Sequence, residues 1–146
     1  MKTIHSLIEI GASAENVWKI LMDFPRYPEW NPFITNIEGE AKIDSKLKVK
    51  LHAPELKPVT VKPKVTMTWE QKQFRWLGKT GLPGIFDAEH MFIIEELDPD
   101  KVRFHHNEVF RGLLVPMFAE TLQKTRHGFE LMNEALKKRA ETVTDS

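Results

Sequence analysis

The chain has 146 residues, with Lys plus Arg and Asp plus Glu balanced at 21 each and no cysteine. That length suits one domain with its own core; the missing thiols exclude disulfides, thiolate nucleophiles and cysteine-ligated metals, and fit a reducing, cytoplasmic setting. Interleaved charges give no basic field for nucleic acid, and the opening MKTIHSLIEI lacks the continuous apolar run of a signal peptide or membrane span, so no membrane insertion is expected.

In chain order, Ile4, Ser6, Ile8 and Ile10 alternate with His5, Leu7 and Glu9 as the two faces of a strand that Gly11 ends. Ser13 is placed to cap a helix over AENVWKILM, with Val17, Ile20, Leu21 and Phe24 on one face. In DFPRYPEWNPF three prolines stand among four aromatic residues, which predicts a short helical turn and a packed elbow in place of a continuous helix. From Ile34 to Arg111 the pattern is strands and tight turns: 34–40, a strand with Leu47, Val49 and Leu51 alternating with lysines, a turn over 53–57, then the run VTVKPKVTMTW. In that run Val59, Val61, Pro63, Val65, Met67 and Trp69 share a face, and Pro63 argues for a bulge or a ladder gap. A strand over 74–79, the loop TGLPGIF and two strands over 86–96 and 102–111, joined by the turn DPD, complete the sheet.

The last segment, 116–141, carries Phe118, Leu122, Thr125, Phe129, Met132 and Leu136 at alternating steps of four and three, the stripe of an amphipathic helix. At about 1.5 Å per residue it is roughly 39 Å long, so a small domain must wrap around it. Thr125 and Gly128 sit within this face. Either Gly128 allows close packing and Thr125 bonds its own helix, or the face looks onto a space.

Strands that are charged on one face and apolar on the other make a sheet with one dry side, which the terminal helix must cover. A large antiparallel sheet curls, so one helix leaves a cavity. Its expected wall is Val65, Met67, Trp69, Trp76, Phe92 and Phe104 from strands with Leu122 and Phe129 from the helix; Leu47, Val49 and Leu51 depend on register. The loop TGLPGIF and the elbow 27–32 are expected at its mouth.

Polar residues on the same dry faces carry the chemistry. His90 shares a face with Phe92 and Ile94, and His106 and Glu108 share one with Phe104 and Phe110. If the DPD turn sets Ile94 opposite Phe104, then Phe92 faces His106 and His90 faces Glu108; a two-residue slip would keep the faces and change the partners. Burying Glu108 unpaired is costly, so it needs a partner or a polar ligand. The spacing of the three does not support a metal site. His105 points away.

The runs VWKILMDFPRYPEWNPFI, FRWLGKTGLPGIFDAEHMFIIEE, VRFHHNEVFRGLLVP and TRHGFELMNEALKKRAE together resemble the SRPBCC, or START-like, superfamily in its polyketide cyclase/dehydrase branch. The resemblance implies an α+β helix-grip fold: a curved seven-stranded antiparallel sheet around a long C-terminal helix, with two short helices after the first strand. A single domain over 1–141, with a disordered tail at 142–146, is expected.

Two functions follow. In the first, the cavity binds or carries a hydrophobic small molecule, lipid-like or polycyclic, with Trp69, Trp76 and Phe129 giving contact area and His90, His106, Glu108 and Thr125 orienting a polar end. In the second, His106 or His90, tuned by Glu108, performs the acid–base chemistry of a cyclase or dehydrase. No cofactor is called for. Apolar residues on the outer sheet face, among them Leu7, Leu77, Met91, Ile93 and Val109, support at most a weak homodimer, so a monomer or weak homodimer is expected.

Overall fold

A computed structural model describes residues 1–80 and 84–142. Strand β1 (Lys2–Ile10) leads into helix α1 (Ala14–Met22), whose cap is Ser13: its hydroxyl accepts from the amide of Asn16 at 3.1 Å. The proline-rich elbow forms a 3-10 turn over Phe24–Arg26 and the one-turn helix α2 (Tyr27–Trp30). Then come β2 (Ile34–Glu38), β3 (Lys48–Leu51), β4 (Val59–Val61), β5 (Lys64–Trp69), β6 (Gln73–Thr80), β7 (Phe86–Asp98) and β8 (Lys101–Arg111). A second 3-10 turn, Val115–Phe118, precedes α3 (Ala119–Thr142). The long helix thus begins after Phe118, and it includes Thr142 of the expected tail; residues 143–146 lie outside the described residues.

The strands pair in the orders β1-β8-β7-β6-β5 and β2-β3-β4. Pro63 is where the two ladders meet. It has no N–H to donate, yet its carbonyl accepts from the amide of Leu47 at 2.8 Å, and Val65 donates to the Ser45 carbonyl at 2.9 Å. The run 59–69 is therefore one strand bent at Pro63, and counting it once gives the seven strands of a helix-grip sheet.

All pairings are antiparallel, and the turn between β7 and β8 sets the expected register: Ile94 opposite Phe104, Phe92 opposite His106, His90 opposite Glu108. A second irregularity lies in β5. Val65 pairs with Trp76, but the next pairs are Met67 with Arg75 and Thr68 with Phe74. Thr66 is the extra residue of a bulge, and one extra residue reverses every face beyond it. Met67 and Trp69, expected in the cavity wall, consequently lie on the outer face, 37% and 56% exposed. Thr68 takes the inner side and donates to the Ala41 carbonyl at 2.8 Å.

Along α3 the stripe has two parts. Phe129, Met132 and Leu136 are completely buried in the core with Val65, Phe92, Phe104, Leu47 and Val49. Gly128 permits this, because a β-carbon there would stand 2.6 Å from the ring of Phe33. Phe33 is delivered by an Asx turn: the side-chain oxygen of buried Asn31 accepts from the amides of Phe33 and Ile34 at 3.0 and 2.8 Å. Close packing is thus the reason for Gly128. Thr125, one turn earlier, donates to the Thr121 carbonyl at 2.8 Å and also borders open space.

Candidate functional site

The space lies at the N-terminal half of α3. Two adjacent small residues hollow the sheet there: Gly78 and Ala88 are paired across β6 and β7, and Ala88 faces Phe110 on β8. A β-carbon at Gly78 would meet nothing closer than 3.8 Å, so this row leaves the inner face bare. The result is a cavity of about 540 Å³, bounded by Trp76, Phe110, Phe118, Leu122, Thr125 and Glu108 among others. It adjoins a second hollow of about 310 Å³ beside Phe33, Leu56 and Val59, and the two share Leu51, Thr121 and Thr125. Lys62 and Lys79, both exposed, stand at the rim.

Of the expected wall, Trp76 and Leu122 reach the cavity, as does Leu51 of the register-dependent residues, and so do Glu108 and Thr125 of the expected polar set. Val65, Phe92, Phe104 and Phe129 do not; they fill the core behind it. The reason is the tight seat of Phe33 against Phe129, with ring centres 5.3 Å apart, which closes the concavity halfway along the helix. The mouth also differs from expectation. Tyr27 is buried against Phe24 and Trp30, with its hydroxyl donating to the Leu21 carbonyl at 2.7 Å, so the elbow 27–32 lines neither hollow. Of the loop TGLPGIF, Phe86 lines the cavity, while Gly81, Leu82 and Pro83 lie outside the described residues. The turn after β8 lies between Phe110 and Phe118, both of which line the cavity. Gly112 adopts a φ of +129°, and any side chain there would collide with the Ile85 carbonyl, so the amides of Leu113 and Leu114 bond Gly84 and Ile85 at 3.1 Å.

Glu108 is the visible end of a buried polar chain. Its side chain is 12% exposed, and Oε2 lies 3.4 Å from Nδ1 of His90. His90 Nε2 is 2.7 Å from Nε2 of His106, and His106 Nδ1 is 3.0 Å from Oδ1 of Asn133. Asn133 Nδ2 donates to the Ser6 hydroxyl at 3.0 Å, which donates to the His106 carbonyl at the same distance. Aromatic rings enclose the pair of imidazoles: Trp76 stacks on His90 at 4.7 Å, and Phe129 stacks on His106 at 3.9 Å, nearly parallel. Complete burial, reinforced by His90 and only partly opposed by the bond to Asn133, holds the His106 pKa well below its ordinary value.

His90 and His106 are therefore brought beside Glu108, as the register predicts, but stand behind the cavity wall. Neither is among the residues that line the cavity. Sequence reading missed Asn133 and Phe33. Asn133 was detectable, since it follows Phe129 by four and precedes Leu136 by three on the helix, an amide on the apolar stripe. Phe33 was not, because its place depends on the elbow's path. His105 lies outside, stacked on His5 and 3.0 Å from Glu95. Among the described residues no group of three His, Cys, Asp or Glu side chains could hold a metal, and no helix is long and apolar enough to cross a membrane.

Known structures share this architecture over almost the full length. A START superfamily protein from Mycobacterium smegmatis is 25% identical, with a TM-score of 0.75 over 97% of this chain and 99% of that one. The Zhui aromatase/cyclase from Streptomyces sp. R1128 is 13% identical, with a TM-score of 0.78 over 99% and 96%. Norcoclaurine synthase from Thalictrum flavum is 17% identical, with a TM-score of 0.73 over 99% and 96%. No curated protein matches at a significant level. The family described as polyketide cyclase / dehydrase and lipid transport matches residues 1–141, and the chain belongs to that family.

Proposed function

We propose that this protein binds and carries a mostly apolar small molecule in the cavity beneath the N-terminal half of α3, with the polar end of that molecule at Glu108. The observation that carries the reading is a cavity of about 540 Å³ walled by Trp76, Phe110, Phe118 and Leu122 into which one buried carboxyl group opens. Sites of this kind bind chiefly by apolar contact and use a few polar groups for orientation. Membership in a family of cyclases and lipid transporters supports it. Balanced charge and scattered outer-face apolar residues fit a cytoplasmic monomer or weak homodimer without a nucleic-acid partner.

The test is to fill the space. Ala88 lies at its floor, so Ala88→Phe should weaken binding of a co-purified ligand, recovered and identified by native mass spectrometry, by roughly tenfold or more, or ~1.4 kcal/mol. The thermal midpoint should change little, because the ring enters a hollow. Unaltered affinity in a folded variant would place the ligand elsewhere.

Acid–base catalysis is the second reading, and the contact of Glu108 with His90 favours it in one respect: the carboxyl has a proton partner directly behind it. The acting group is then Glu108, with His90 as relay. Multiple turnover on a carbonyl substrate, lost in Glu108→Gln with affinity kept, would favour catalysis over carriage.

A further inference from the structure

The hydrogens along the buried chain can be assigned in sequence from its far end. The His106 carbonyl can only accept, so the Ser6 hydroxyl spends its one proton there. Ser6 must then accept from Asn133 Nδ2, which turns Asn133 Oδ1 toward His106 and requires a proton on His106 Nδ1. His106 is completely buried and has no carboxylate beside it, so the ring is neutral and its Nε2 is a bare acceptor. The proton in the 2.7 Å contact therefore belongs to His90 Nε2. Glu108 Oε2 stands 3.4 Å from His90 Nδ1, an ion-pair distance. A carboxylate only accepts hydrogen bonds, so its Oε1 offers the cavity lone pairs and no proton.

Among the described residues Oε1 has no hydrogen-bond partner, although Glu108 lines the cavity. The hydroxyl of Thr125, also on the wall, has committed its proton to the Thr121 carbonyl and offers the cavity only lone pairs. Donors occur at the rim, on the exposed ammonium groups of Lys62 and Lys79 and the exposed hydroxyls of Thr60 and Thr121.

We infer that the polar end of the ligand is an uncharged hydrogen-bond donor, an alcohol or phenol, seated on Oε1 of Glu108. This rests on the binding reading above. A carboxylate or a bare carbonyl would face an acceptor at that point, and a cationic amine would have to leave water for a largely apolar wall.

Three probes with one ring system separate the possibilities: 2-naphthol, its methyl ether and 2-naphthoate, titrated calorimetrically at neutral pH. The naphthol should bind wild-type protein about tenfold more tightly than the ether, the effect of one hydrogen bond to a charged or polarised acceptor. Glu108→Leu should abolish that ratio and leave the ether's affinity. Glu108→Gln should keep it, because the new amide can donate to His90 Nδ1 and leave its carbonyl oxygen toward the cavity. Should the leucine variant fail to fold, the wild-type ratio and the glutamine variant decide the matter. Equal binding of naphthol and ether, tightest binding of the naphthoate, or loss of the ratio in Glu108→Gln would overturn the inference and leave the cavity reading intact. Failure of all three probes to bind would overturn both.

Discussion

His106 has a neutral ring because its surroundings satisfy both nitrogens and offer no countercharge: Asn133 takes one proton, His90 supplies another, and Phe129 covers the face. That neutrality links folding to pH. An unfolded histidine takes up a proton near its ordinary value of 6.5, whereas the folded one resists until well below it. Between those two values the unfolded chain binds more protons, so the contribution of His106 to stability is complete above about pH 6.5 and is lost as the pH falls toward the lower folded value. Thermal midpoints recorded from about pH 7 to pH 5 should fall accordingly. His106→Gln should cost about 1–3 kcal/mol at neutral pH through lost hydrogen bonds and stacking, yet show a shallower decline with acid. Parallel declines in the two proteins would assign the acid sensitivity to other groups.

At the scale of elements, α3 is one helix doing two jobs, and Gly128 marks the change. Replacing a helical glycine with alanine ordinarily stabilises by ~1 kcal/mol. Here the added carbon would stand 2.6 Å from a Phe33 ring already held by Phe129 and His90, and such overpacking costs about 1–3 kcal/mol. Gly128→Ala should therefore lower the urea midpoint; a raised one would mean that Phe33 swings aside freely. The same contrast explains what the sequence could reveal. The register of β7 against β8 was legible because a short turn and strict alternation fix it, and with it came the meeting of His90 and Glu108. Pro63 announced the bend by its chemistry. Thr66 announced nothing: a bulged threonine looks like any strand threonine, so Met67 and Trp69 were read on the wrong face. Gly128 was ambiguous for the opposite reason, since a missing side chain signals both a neighbour and a void. Only the path of the Asn31 turn, which delivers Phe33, decides between them.

On the scale of the whole molecule, one half of the grip is solid and the other is hollow. Around Phe92, Phe104, Phe129 and Met132 every large side chain is buried against others. Around Gly78 and Ala88 the sheet faces open volume, and Phe118 of its wall and Val59 of the adjoining hollow stay exposed to solvent. Apolar burial supplies most of the stabilisation, so opening should be unevenly distributed: amides next to the hollow should exchange through small local openings, and those of the filled half only through opening close to global. Hydrogen exchange read by mass spectrometry should show segments 52–58 and 112–118 exchanging well before 90–94, 102–106 and 129–136. A bound apolar ligand adds contacts on one side only, and anything that binds the folded form alone suppresses opening by mass action. Saturation with ligand should slow exchange at 52–58 and 112–118 far more than in the filled half. Equal protection of both halves in the free protein, or ligand protection spread evenly over the chain, would show that the cavity is not the site where occupation is felt.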